Sequence, residues 1–257
     1  MFGADVNRRA VLRAAMAGGA GMGLAIGLGA PAGARRPTTA DESTPGPRIA
    51  ILLFDGITAT DAIGPYEVLS RIPGASVVTV GKRIGPVHTD TGMLTLGVDR
   101  TLGQVPRADV LLVPGGQVRD VRTDPDVIRW IQRLHRHTTW TVSVCTGSLV
   151  LGTAGLLRGL PATTYWSMRD QLAQFGATYV PGRFVEAGRI ITAAGVSAGI
   201  DMALHLTAKL ADDQIAQALQ LLVEYDPDPP FDTGTPEKAG PELVRLALRL
   251  LGEPGLR

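Results

Sequence analysis

Short unbroken apolar runs alternate along this chain with stretches in which apolar residues recur every three or four positions. That is the pattern of strands covered on both faces by helices. Ile49 to Phe54 (IAILLF), Asp109 to Val113 (DVLLV) and Trp140 to Val144 (WTVSV) predict buried parallel strands, and Ala75 to Val80 and Leu94 to Val98 are shorter strand candidates. Helices are predicted over Thr60 to Leu69, from Asp124-Pro125 to about His137, over Ser148 to Leu157, over Trp166 to Phe175, and over Ser197 to Leu210 and Asp213 to Tyr225. Asp124 followed by Pro125 is a capping residue ahead of proline at the first helical position. Arg183 to Ala193 (RFVEAGRIITA) reads as a hairpin turning at Ala187-Gly188. Strands alternating with helices imply an open, doubly wound α/β sheet with right-handed crossovers, in which sites collect at the carboxyl ends of the strands. No repeat of 20 to 50 residues interrupts this reading.

Composition adds an address and removes some functions. The 257 residues carry a formal charge of +1. This conceals an N-terminal excess of positive charge, because Arg8, Arg9, Arg13, Arg35 and Arg36 face only Asp5. Residues 1–34 pair Arg8-Arg9 with an uncharged Ala, Gly, Leu, Ile and Met block ending in Ala-x-Ala sites, as in a twin-arginine signal peptide. The expectation is export in folded form to the periplasm, cell envelope or exterior, with membrane attachment only through an uncleaved signal. Residues 35–47 (RRPTTADESTPGP) form a linker, 48–245 the folded domain and 246–257 a C-terminal tail. The mildly acidic body excludes nucleic acid as an expected partner, since phosphate backbones call for clustered Lys and Arg. A single cysteine excludes an intrachain disulfide.

That cysteine, Cys145, falls where a strand meets a helix, within Ser143-Val144-Cys145-Thr146-Gly147. This is the layout of a nucleophile elbow, with Gly147 removing a Cβ that would crowd the turn. A helix N-terminus favours thiolate over thiol. The same position equally suits a buried cysteine that packs as a small hydrophobe. Pro114-Gly115-Gly116 ends the preceding strand, and its backbone N–H groups, with that of Thr146, are candidate oxyanion donors. It also reads as a plain turn. Asp61, at the head of the first helix, is a candidate proton shuttle if burial raises its pKa, or an ordinary cap. Glu67 turns to another face of the same helix. None of His88, His135, His137 and His205 stands beside Cys145, and no metal-ligand spacing or phosphate-binding loop is present.

The segments IAILLFDGITATDAIGP, DVLLVPGG, TVSVCTGSLVLGTAGLLRG and ATTYW, with GVSAGIDMAL and LLVEYDPDPPFDTGTP further on, resemble the ThiJ/PfpI superfamily over about residues 48 to 245. This superfamily has the class I glutamine amidotransferase-like fold. The likeness is closest to its isocyanide (isonitrile) hydratase branch, in which a Cys-Thr pair stands where the proteases and chaperones have Cys-His. The resemblance implies a flavodoxin-like sandwich, commonly a homodimer. It assigns the functional positions to Cys145, Thr146 and Asp61, the substrate to a small molecule, and no role to a cofactor. The implied reaction adds water to an isonitrile through a covalent thioimidate, giving an N-substituted formamide. Tyr165, in ATTYW, departs from the His usual in the relatives and bears on substrate specificity. Glyoxalase or deglycase chemistry and a non-enzymatic thiol redox sensor are the competing functions. A transcriptional regulator would need a DNA-binding region after about residue 240.

Overall fold

The computed structural model describes residues 45–252. The signal-like segment 1–34 and all but the last residues of the linker lie outside the described residues. The described residues begin with β1 (Arg48–Leu52) and α1 (Ala59–Leu69), then β2 (Ser76–Gly81), the hairpin β3 (Gly85–His88) and β4 (Thr95–Val98), and β5 (Arg100–Thr101). Next come β6 (Val110–Val113), α2 (Arg119–Thr123), α3 (Pro125–His135), β7 (Trp140–Val144) and α4 (Gly147–Thr153). A short β8 (Pro161–Ala162), a 3-10 segment (Trp166–Phe175) and β9 (Thr178–Tyr179) precede the hairpin of β10 (Phe184–Ala187) and β11 (Ile190–Ala193). Three helices complete the order: α5 (Ala198–Leu210), α6 (Asp213–Leu222) and α7 (Pro236–Leu250).

Seven strands form the main sheet in the order β10-β11-β7-β6-β1-β2-β5. All neighbours are parallel except the β10–β11 hairpin at one edge. Because successive residues of a strand face opposite ways, the sheet feeds two cores. Ile49, Ile51, Val142, Val144 and Ile191 join α1 and α5 on one face. Ala50, Leu52, Leu111 and Val113 join α3 and α4, with Trp130, on the other. Trp130 is 1% exposed, and its indole N–H donates to Val105 O at 3.0 Å, which makes the ring a satisfied core residue. The open α/β sheet expected from the pattern, and the flavodoxin-like sandwich that the resemblance implies, are the architecture observed.

The chain runs outward from β1 through β2 to β5, then returns to the other side of β1 as β6, β7 and β11. The strand order therefore reverses at β1, and the carboxyl ends of β1 and β6 flank the crevice that this reversal opens. Asp61 follows β1, Pro114-Gly115-Gly116 follows β6 and Cys145 follows β7, so topology alone gathers the three candidate segments.

Several local expectations are corrected. The strand expected at Leu94 to Val98 is present as β4, but it lies outside the main sheet, paired with β3, a strand whose Gly-Pro start hides it from periodicity. Trp166 to Phe175 is 3-10 in type rather than an α-helix, with only Leu172 buried and Gly176 in the left-handed region ending it. The hairpin turn is one residue later than expected, at Gly188-Arg189. Helix α7 runs across residue 245 to Leu250. No described helix is long and apolar enough to cross a membrane.

Candidate active site

The turn after β7 is built by close approach. Cys145 has φ 59°, in the left-handed region that costs a side-chain-bearing residue about 1–2 kcal/mol. Its backbone is secured on both sides: the N–H donates to Ala193 O (3.1 Å) and Ala194 O (2.8 Å), and the carbonyl accepts from the hydroxyls of Thr164 (3.1 Å) and Ser148 (3.2 Å). Helix α4 then starts against the end of β6. A Cβ on Gly147 would lie 2.1 Å from Val113 O, so only glycine permits this contact. The elbow layout is thus present in three dimensions.

Thr146 joins the elbow to the turn after β6. Its hydroxyl accepts from Gly116 N–H and donates to Gly116 O, both at 2.9 Å. That turn is in turn zipped to the loop after β1: Thr58 N–H donates to Gly115 O at 3.0 Å and Gln117 N–H to Gly56 O at 2.8 Å. Gly116 adopts φ 127°, and a Cβ there would stand 2.3 Å from Gly56 O. Three strand ends are therefore locked at fixed spacing by the Thr146 hydroxyl and by backbone bonds, with no room for a Cβ at Gly116 or Gly147.

Asp61 is fully buried and is not a cap. The capping position ahead of α1 is held by Thr58, and the Asp61 carboxyl instead accepts from Gly115 N–H at 2.9 Å through Oδ2. Its Oδ1 is buried and meets no N–H or O–H donor among the described residues. The neighbour left to the carboxyl is the Cys145 thiol, with which it interacts directly. Burial pushes the Asp61 pKa up to about 7, although the bonds from Gly115 and Cys145 pull the other way. Asp90, which accepts from the Thr58 hydroxyl at 2.6 Å, adds a small upward push.

Two expectations change here. The dipole of α4 does not make Cys145 a resting thiolate: burial pushes the thiol pKa up, the negative charge of Asp61 pushes it further, and N–H groups of Thr146 and Val196 only partly oppose this. Nor do Gly115 and Gly116 offer free oxyanion donors, because their N–H groups are held by Asp61 and Thr146. The backbone donors that face the sulfur are Thr146 and Val196. Val196, like Thr164 and Ser148, is a site residue that sequence reasoning passed over. The GVSAG stretch was legible, but a main-chain donor carries no side-chain signature.

Tyr165 is half-buried and packs on the same core as Cys145, with its ring against Gly195, where a Cβ would lie 2.9 Å from the ring. Glu67 points away and pairs with Arg71 on the exposed face of α1. His88 pairs with Asp55, His205 with Glu186, and His135 bonds Thr141, so none of these three imidazoles is engaged with Cys145.

A mostly parallel sheet with a single cysteine held in a strained strand-to-helix turn, facing a buried carboxyl, defines a cysteine-elbow α/β protein. The model of the DJ-1/PfpI family matches residues 47–209, and the chain belongs to that family. It is 41% identical over 211 residues to an isonitrile hydratase of Pseudomonas putida, covering 82% of this chain and 92% of that protein. A deglycase of Pyrococcus abyssi is 26% identical over 148 residues, covering 56% of this chain and 88% of the relative. Among solved structures, a ThiJ/PfpI family protein from Pseudomonas syringae superposes with a TM-score of 0.77 at 37% identity, covering 86% of this chain and 93% of that one.

Proposed function

We propose that the protein is a cysteine-dependent hydratase that converts an isonitrile into an N-substituted formamide. The observation that carries this reading is the pairing of a buried, proton-holding carboxyl with a buried thiol, Asp61 with Cys145, in a chain 41% identical to an isonitrile hydratase. Addition of a thiol to R–N≡C forms a C–S bond and a C–H bond at one carbon. A proton must leave sulfur and arrive at carbon in the same region of space. A carboxyl titrating near 7 is matched to accept the first and donate the second. The product of this step is a thioimidate, R–N=CH–S–Cys145.

Water then adds to the thioimidate carbon, Asp61 taking its proton. Collapse breaks the C–S bond, nitrogen receives a proton, and R–NH–CHO leaves with the Cys145 thiol restored. The N–H groups of Thr146 and Val196 stabilise sulfur whenever it carries negative charge. The Thr146 hydroxyl, held by Gly116, keeps Gly115 N–H on Asp61. A thiol only 5% exposed suits the slim, linear end of an isonitrile. The test is chromatographic detection of formamide from cyclohexyl isocyanide and purified protein. Folded protein that alkylates at Cys145 yet yields no formamide overturns the reading in favour of carbonyl or redox chemistry.

A further inference from the structure

The Val196 N–H, one of the two main-chain donors to sulfur, sits in an unusual place. Val196 has φ 33°, a backbone conformation that side-chain-bearing residues rarely adopt, in the tight turn between β11 and α5. Something has to hold it there. The Cys145 N–H bonds to Ala193 and Ala194 carbonyls secure one side of the turn. The other side is gripped from outside by Arg183, the residue before β10.

Arg183 makes four bonds at or beside the turn. Its carbonyl accepts from Ala194 N–H at 2.9 Å. Its guanidinium donates to the Ser197 hydroxyl at 3.1 Å, to the Asp201 carboxylate, and, at 3.5 Å, to the Tyr225 hydroxyl. Tyr225 closes the ring by donating to the other oxygen of Asp201 at 2.7 Å. Tyr225 comes from the segment after α6, beyond the family-matched residues 47–209. It is turned back by Glu224 at φ 49° and by its own N–H bond to Gln220 O at 3.1 Å. The Arg183 side chain is 52% exposed, so its pair with Asp201 contributes little to global stability. A planar fork that bridges three partners is suited to fixing geometry.

We propose that Arg183, with Asp201 and Tyr225, is a positioning residue that fixes the Gly195-to-Ser197 turn and so keeps the Val196 N–H on the Cys145 sulfur. The inference rests on the proposed cysteine chemistry, but it is testable without turnover, because Cys145 is the only cysteine and its alkylation is unambiguous. Among the described residues Asp61 is the titratable group that faces the thiol, and it is left intact in every variant.

The experiment measures the pH dependence of Cys145 alkylation by iodoacetamide, with kcat and KM for cyclohexyl isocyanide, in wild type, Arg183→Gln, Tyr225→Phe, Arg183→Lys and His205→Gln. The last removes a different tie between β10 and α5, the His205–Glu186 pair, away from the turn. Loss of one hydrogen bond to a charged sulfur predicts that Arg183→Gln raises the alkylation midpoint by about one pH unit and lowers kcat about tenfold, with KM within about twofold. Tyr225→Phe moves both in the same direction by less. Lys restores charge but cannot bridge three partners, so Arg183→Lys falls between wild type and Arg183→Gln, and His205→Gln matches wild type. An alkylation midpoint in Arg183→Gln no different from that in His205→Gln overturns the inference. Absence of turnover in wild type overturns the hydratase reading instead and leaves the alkylation comparison decisive for the turn.

Discussion

Replacing Asp61 by Asn should stabilise the protein at alkaline pH and not at acid pH. The native state keeps a proton on this carboxyl up to about pH 7, whereas the unfolded chain releases it near 3.8. Between those values the folded protein binds more protons than the unfolded one. The stability associated with protonated Asp61 is therefore complete below about pH 4 and is lost as pH rises through about 7. Three pH units correspond to roughly 4 kcal/mol at most. Local rearrangement on ionisation, including a turn of the Cys145 S–H toward the charge, brings the expected value to about 2 kcal/mol. Asparagine retains an oxygen for Gly115 N–H and carries no charge at any pH. Packing differences between the two side chains are independent of pH, so the slope isolates the carboxyl. Thermal unfolding of wild type and Asp61→Asn at pH 4.5 and pH 8 is the assay. The variant should gain roughly 4–8 °C relative to wild type on going from the lower to the higher pH. A difference in Tm that is the same at both pH values would refute the argument that this carboxyl is ionised at a cost in the folded protein.

The remaining predictions concern the machinery around that pair. Since the carboxylate form of Asp61 takes the thiol proton, kcat/KM for an isonitrile should fall below about pH 7 in wild type, and Asp61→Asn should lose most of the rate at every pH; a flat wild-type profile from pH 5.5 to 8.5 counts against the proton relay. Thr146→Val removes the hydroxyl that both donates to and accepts from Gly116, and should lower urea stability by about 1–3 kcal/mol and the rate by more than tenfold, read from denaturation and steady-state kinetics. Gly147→Ala drives a methyl group to 2.1 Å from Val113 O and should cost at least about 3 kcal/mol, visible as loss of soluble folded protein or a collapse of the urea midpoint.

The fold was legible where burial on both faces makes a strand an unbroken apolar run, as in IAILLF and VLLV, and where Asp124-Pro125 marks a helix start. It was not legible at β5, two residues long at the sheet edge, or in the Gly-Pro strand β3, where too few side chains carry a period. The elbow and Asp61 were legible because each follows a recognisable strand. The protonation state of Cys145 was not, because it depends on depth beneath other segments and on a carboxyl 84 positions earlier in the chain. Thr164 and Val196 escaped notice for a related reason: one contributes a hydroxyl to the Cys145 carbonyl and the other only its backbone N–H to the sulfur, and the turn of the chain alone brings them there.

The most direct measurement is the rate of formamide formation from cyclohexyl isocyanide by wild type and by Cys145→Ala, with the fold of each followed by circular dichroism. The covalent mechanism predicts turnover by wild type and none above background by a folded Cys145→Ala. Formamide production by Cys145→Ala at a rate near that of wild type would contradict it.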